Sequence, residues 1–317
     1  MSQRPRLTRF SHGITAVDTD YYRPWFDASH IIHDQDEAAI VDTGTTHSVP
    51  LLLAAMRELE VAPEAVRYVL LTHVHLDHAG GAGELMRHLP EAECIVHPRG
   101  ARHMVDPSKL IAGTKAVYGE QAFAEMYGEI PGIPEERVTE SRDGMELSLG
   151  QRRLTLFDTP GHAKHHYCIF DDRPHAVFTG DTFGVSYREL DTSEGEFILP
   201  ATTPVHFDPE AYHASVDRIL SFEPNACFLT HYSRVTEVER LAEDLHRELK
   251  AFVRIAEEHA EAPDRVSAIE QALLDHQANR LEAHGISQPR QTAERVLGMD
   301  LQLDAQGIDV WLQKRAA

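Results

Sequence analysis

The chain has 317 residues, with 51 acidic side chains against 30 Lys+Arg, a formal net charge of −21 and 21 histidines. Its length exceeds the ~100–200 residues usual for one domain, and 42% hydrophobic with 26% charged residues supplies a sizeable core, which excludes disorder as the dominant state. So acidic a chain repels polyanions, which excludes a nucleic-acid partner held mainly by phosphate neutralisation.

Short apolar runs alternate with helical patterns from about residue 6 to 233. Residues 37–44 (EAAIVDTG) read as a strand ending in a turn. Leu51, Ala55, Met56 and Leu59 follow at helical spacing, with Pro50 near the helix start. Residues 66–72 (VRYVLLT) form an apolar strand, followed by a Gly-rich turn and a short helix to His88. Further strands are expected at 93–97, 153–157, 167–170, 176–179 and 226–230. Before the last of these, Asp208 can cap a helix that has Pro209 at its first position and Tyr212, Val216, Ile219 and Leu220 as its apolar stripe.

After Ser233 the texture changes. Val238, Leu241, Leu245, Leu249, Phe252, Val253 and Ala256 recur at three- and four-residue steps, a long amphipathic helix. Val266, Ile269, Leu273 and Leu281 suggest a second, and the stretch 299–312 reads as a shorter one broken by Gly307. The expected division is therefore 1–235 for the first domain and 236–317 for an all-helical second. That tail has 16 acidic and 10 basic residues, net −6, which leaves −15 for the rest. The negative charge is diffuse, as expected of a solvated surface.

Location is read from absences. No run reaches the ~18 apolar residues of a membrane span, and Arg4, Arg6 and Arg9 are not followed by an apolar signal segment. Cys94, Cys168 and Cys227 sit far apart in apolar runs, as buried free thiols in a reducing compartment would. A cytoplasmic protein without membrane or nucleic-acid partners is expected.

The chemistry is concentrated where residues 66–72 run into His73-Val74-His75-Leu76-Asp77-His78. In extended backbone, side chains two apart share a side, so His73 and His75 can reach one metal. The turn that follows carries Asp77 and His78 toward a neighbouring point. Three imidazoles and a carboxylate suit a borderline divalent ion. Random placement at this composition gives about 0.006 copies of the pattern, so coincidence is a poor account of it.

This T-H-x-H-x-D-H run resembles the signature of the metallo-β-lactamase-fold superfamily of metallohydrolases. Four other stretches match that family's motifs in order: Ile40-Val41-Asp42-Thr43-Gly44, Thr159-Pro160-Gly161-His162, Phe178-Thr179-Gly180-Asp181 and Leu229-Thr230-His231. The stretch 158–167 (DTPGHAKHHY) resembles the glyoxalase II-like branch, departing from its usual T-P-G-H-T-x-G-H at Ala163 and His165. The resemblance implies an α+β fold, a four-layer αββα sandwich followed here by the helical domain. It also implies two divalent metal ions, zinc first and iron or manganese as options. His73, His75 and His162 would hold one ion, and Asp77, His78 and His231 the other. Asp181 would bridge them, and Asp77 and Asp181 would be the catalytic carboxylates. Asp42 and the family's second histidine, His166, would orient ligands from behind; His165 could extend the site or merely pack.

The activity implied is hydrolysis of an ester, thioester or lactone, with a metal-bridging hydroxide as nucleophile and no Ser or Cys intermediate. The bridging aspartate argues against β-lactamase activity. The alternative is a non-haem iron redox protein of the same fold, such as a persulfide dioxygenase or an oxygen-binding di-iron protein, and a module that has lost turnover is a third. Tyr232 and His206 are the candidate pocket residues, while His12, His30, His33, His47 and the tail histidines read as structural or surface residues. The aromatics of the 99–135 insertion and of the 183–207 loop are expected to pack locally for the most part. The tail either supplies contacts to a small-molecule substrate or forms a homodimer interface.

Overall fold

A computed structural model describes residues 4–202 and 204–316. The first sheet is built from β1 (Leu7–Arg9), β2 (Ile14–Asp18), β3 (Ala28–Asp34), β4 (Glu37–Val41), β5 (Val66–Leu71), β6 (Glu93–Val96) and β7 (Val138–Glu140), in that spatial order. β1 to β4 pair antiparallel; β4 to β7 pair parallel. Parallel neighbours need crossovers, and helices supply them. These are α1 (Val49–Glu58), α2 (Leu76–Ala79), α3 (Ala82–Met86), α4 (Pro98–Val105), α5 (Ser108–Tyr118) and α6 (Glu120–Tyr127). Val17, Ile31, Ile40, Val69 and Leu71 from the strands bury against Leu52, Met56, Leu85 and Met104 from the helices. β4 and β5 are buried along most of their length, which is why both read as near-continuous apolar runs.

The remaining strands are β8 (Met145–Leu149), β9 (Arg152–Asp158), β10 (Tyr167–Asp171), β11 (Ala176–Gly180), β12 (Ala226–Leu229) and β13 (Ser233–Val235). β8 to β11 form an antiparallel meander. Tyr167 of β10 donates its hydroxyl to the Ile95 carbonyl of β6 at 2.9 Å, joining the meander to the first sheet.

The chain divides into two compact units that interleave in sequence. The first comprises 1–158, 165–180 and 230–233; the second comprises 159–164, 181–229 and 234–317. In the second unit, α7 (Pro209–Leu220) starts as its sequence requires, with the Asp208 carboxylate accepting the Ala211 N–H at 3.1 Å. α8 (Val238–Glu258) and α9 (Arg265–Ala283) follow, and Glu248 of α8, buried, holds Arg280 of α9 at 3.1 Å.

Two expectations need correction. The last helix, α10 (Pro289–Ala316), runs unbroken through Gly307. An interior glycine costs only about 1 kcal/mol of helix propensity, and burial of Ala293, Val296, Leu297, Leu301, Ala305 and Ile308 outweighs that. β1 to β3 went unnoticed because His30, His33 and the Thr residues interrupt their apolar pattern, although β2 is buried throughout. Phe123 and Tyr127 of the insertion are buried, as are Phe183, Tyr187, Phe197 and Phe207 of the long loop. Among the described residues no helix is long and apolar enough to cross a membrane.

Candidate metal centre

β5 ends at Leu71, the chain bends at Thr72, and His75, the residue before α2, is extended. The His73 and His75 rings stand 4.4 Å apart. The single turn of α2 then brings His78 back, its ring 4.0 Å from that of His73. His231 follows β12, its ring 5.4 Å from that of His78. In the first unit, Asp77, His78 and His231 each offer a ligand atom within 4.8 Å of the others.

The imidazoles are fixed from behind. His78 Nδ1 lies 2.9 Å from Asp42 Oδ2, and His231 Nδ1 lies 3.0 Å from the Phe26 carbonyl oxygen. A carbonyl only accepts, so the proton of a neutral His231 sits on Nδ1 and its Nε2 carries the lone pair. Both Nε2 atoms aim at one oxygen, Asp77 Oδ2, at 3.6 Å from His78 and 3.5 Å from His231. The second unit repeats the arrangement. His162 Nδ1 lies 2.9 Å from the Ala201 carbonyl oxygen, and its Nε2 faces Asp181 Oδ2 at 3.4 Å. Three times, an imidazole lone pair is set against a carboxylate oxygen. Two acceptors face each other stably only with positive charge at hand. Bonds of about 2.1 Å to one cation span 3.4–3.6 Å at an angle close to tetrahedral, so the donor set fits a divalent ion.

Asp42 is fully enclosed and takes a left-handed backbone, φ +54°. Its carboxylate accepts the Thr72 N–H at 2.8 Å and the hydroxyls of Thr72 and Thr230, each at 2.8 Å. It thereby ties Thr72 to Thr230. His166 stacks 5.0 Å from the His73 ring, and its Nε2 lies where a Cβ on Gly180 would come within 2.7 Å. Gly180 has φ +48°, so glycine is required there on two counts. Gly161 is equally constrained: at φ +135° its Cβ would meet the Tyr212 backbone at 2.4 Å. His165 accepts the Val74 N–H at Nδ1 at 3.5 Å, and its ring stands edge-on to that of His75 at 5.6 Å.

Tyr232 is buried with its ring edge-on to Trp25 at 5.4 Å, and burial pushes its phenol up. His206 lines a separate cavity in the second unit. His30 packs beside Phe178 with Nε2 3.2 Å from Ser233 Oγ, and burial pushes it down to about 3.

Sequence reasoning missed Asp27 at the start of β3. Its carboxyl is fully buried, accepts the Thr19 hydroxyl at 2.9 Å, and feels His231, His78 and Asp77. Burial pushes it up to about 7 against the pull of the two histidines. No spacing marks it, because it reaches the cluster through Phe26, its neighbour, whose backbone holds His231.

A family model described as "Metallo-beta-lactamase superfamily" matches residues 23–231, more than half the chain. The chain belongs to the metallo-β-lactamase superfamily. All five motifs, and every residue of the cluster just described, lie inside the matched stretch. Among curated relatives, the metallo-β-lactamase fold-containing protein ST1585 of Sulfurisphaera tokodaii is 29% identical over 168 residues, 52% of this chain and 59% of that one. The chain thus spans less than two thirds of that relative. The hydroxyacylglutathione hydrolase of Salmonella paratyphi A is 26% identical over 229 residues, 68% of this chain and 74% of that enzyme. Among solved structures, TTHA1429 from Thermus thermophilus, a metallo-β-lactamase family protein, superimposes with TM-score 0.63 at 19% identity. That superposition covers 96% of this chain and 94% of the other. At that identity the likeness shows the fold, the superfamily's α+β sandwich, which here carries a C-terminal helical region.

Proposed function

We propose that the chain is a binuclear metal-dependent hydrolase of small-molecule esters, thioesters or lactones. The observation that carries the reading is the threefold facing of an imidazole Nε2 and a carboxylate oxygen, with Nδ1 anchored each time. His73, His75 and His162 would hold one ion, Asp77, His78 and His231 the other, and Asp181 would be a ligand common to both. Support for joining the ligands comes from the family match, which encloses all seven, and from kinship to hydroxyacylglutathione hydrolases.

Two divalent ions, zinc being the ordinary choice for imidazole and carboxylate donors, would supply an acidified water and a Lewis acid toward the carbonyl. The protein's own groups do the rest. Asp42 and the carbonyls of Phe26 and Ala201 keep each Nδ1 protonated and each Nε2 basic. Asp77 and Asp181 offset part of the cationic charge. The three cysteines are buried, and hydrolysis by this route needs no Ser or Cys nucleophile.

The test pairs metal analysis with a panel of esters, thioesters and lactones. The wild type should carry close to two ions per chain and turn over at least one substrate class. His75→Ala and Asp181→Ala should lose metal and fall to background. Wild-type turnover by Asp181→Ala with less than one ion per chain would overturn the reading. Stoichiometric iron with visible absorption and no hydrolysis would replace it with redox chemistry.

A further inference from the structure

Tyr212, on the buried face of α7, is fully enclosed. A phenylalanine would fill nearly the same space, and a buried hydroxyl costs free energy unless its hydrogen bonds are made. The Tyr212 hydroxyl makes two. It donates to the Asp181 carbonyl at 2.7 Å and accepts the Ala201 N–H at 3.3 Å. Both partners lead to the metal-ligand cluster: Asp181 is a proposed ligand, and the Ala201 carbonyl oxygen lies 2.9 Å from His162 Nδ1. Because His162 Nε2 faces Asp181 Oδ2 at 3.4 Å, the four residues close a circuit. The phenol oxygen is the atom at which it closes.

The same helix holds the segment before His162 by its backbone. The Gly161 carbonyl accepts the Asp208 N–H at 2.9 Å, at the cap of α7, and Ser215 donates its hydroxyl to the Pro160 carbonyl. A Cβ on Gly161 would come within 2.4 Å of the Tyr212 Cα, so the chain passes directly against this turn of α7. Residues 160–162, 181 and 201 are far apart in sequence, and none of them lies in a strand or helix. Backbone outside a ladder takes its partners from side chains, and here one phenol serves two such segments.

We infer that Tyr212 is a positioning residue for the metal centre, its hydroxyl setting Asp181 against His162. The inference rests on the metal-centre reading proposed above and assigns Tyr212 no contact with substrate. Tyr212→Phe takes the acceptor from the Ala201 N–H and one of two donors from the Asp181 carbonyl, which keeps the Gly184 N–H at 2.9 Å. Every proposed ligand remains, but two of them lose the link that fixes their separation.

The test compares full-length Tyr212→Phe with Ile219→Val, a change at another buried position of α7 outside the circuit. Thermal midpoints of the metal-free proteins give the structural cost of each change. Cobalt(II), a spectroscopic stand-in for zinc at imidazole and carboxylate donors, is then titrated into each against a chelator. Tyr212→Phe should lose about tenfold or more in affinity for at least one ion, with altered visible bands. Ile219→Val should keep both affinities within about threefold and the wild-type bands. Exchange of the Ala201 amide in the metal-free protein should accelerate in Tyr212→Phe and not in Ile219→Val. Affinities within about threefold of the wild type and unaltered bands in Tyr212→Phe would overturn the inference. An equal loss in Ile219→Val would do so too, because the role would then be the stability of α7 alone. A wild type that takes up no cobalt would instead overturn the metal-centre reading, and the inference would fall with it.

Discussion

The Asp42 carboxylate stands 2.9 Å from Nδ1 of His78, and both side chains are sealed from solvent. The same carboxylate receives the Thr72 N–H and the Thr230 hydroxyl, so one charge organises three segments that meet at the cluster. Asp42→Asn keeps the shape but removes the charge that favours a proton on His78 Nδ1. Outer partners of metal-binding histidines are commonly worth 10–100-fold in metal affinity, and a loss of about that size is expected by chelator competition. Asp42→Ala should do more, because it also leaves the buried Thr72 N–H without its acceptor. An added loss of about 1–3 kcal/mol of stability should appear in urea unfolding of the metal-free protein.

The motif was legible because its parts are local: the short segment between the end of β5 and α2 delivers His73 and His75, and one helical turn returns His78. The anchoring of His231 and His162 was not, since backbone carbonyls of Phe26 and Ala201 carry no residue identity. Asp27 escaped for the same reason, its role depending on burial rather than spacing. In α10, Gly307 advertised a break that the buried apolar face overrides.

The helical tail reaches the cluster through Asp304 of α10. Its Oδ1 accepts the Thr202 N–H at 2.6 Å and the Thr202 hydroxyl at 3.0 Å, and the preceding carbonyl, of Ala201, holds His162. Burial drives the Asp304 carboxyl well above the usual carboxylate range, so the native state keeps a proton that the unfolded chain releases. A raised native pKa gives stability that is complete below the unfolded value, near 4, and declines as pH rises above it. Asp304→Asn, which retains an accepting oxygen, should flatten that part of the stability profile between about pH 4 and 8 while keeping metal affinity. Asp304→Leu should weaken metal binding by about tenfold or more. Urea midpoints across that range and chelator competition measure the two effects separately.

Cys94, Cys168 and Cys227 are buried free thiols, and burial pushes Cys94 up to about 12. The thiolate is the reactive form, so a disulfide-exchange reagent should titrate essentially no thiol in the native protein. All three should react once it is unfolded. Rapid modification of any one in native conditions would contradict the burial of Cys94, Cys168 and Cys227.

Arg152 and Asp171 form a buried pair across β9 and β10, Nη1 to Oδ2 at 2.5 Å, and Nη2 donates to the His12 carbonyl at 2.5 Å. The two halves are not equivalent. Burial lifts the Asp171 carboxyl more than Arg152 lowers it, so with Arg152 gone the acid can take a proton and shed its charge. A guanidinium has no such escape. With Asp171 gone it keeps Asp34, 3.9 Å from Nε and already engaged by Arg173. Asp171→Leu should therefore cost about 3–5 kcal/mol and Arg152→Met less. The double variant should lie closer to the wild type than Asp171→Leu, because replacing both charges by apolar groups removes the desolvation penalty. A double-mutant cycle in urea measures the coupling; equal costs for the two single variants would show that Asp171 does not neutralise.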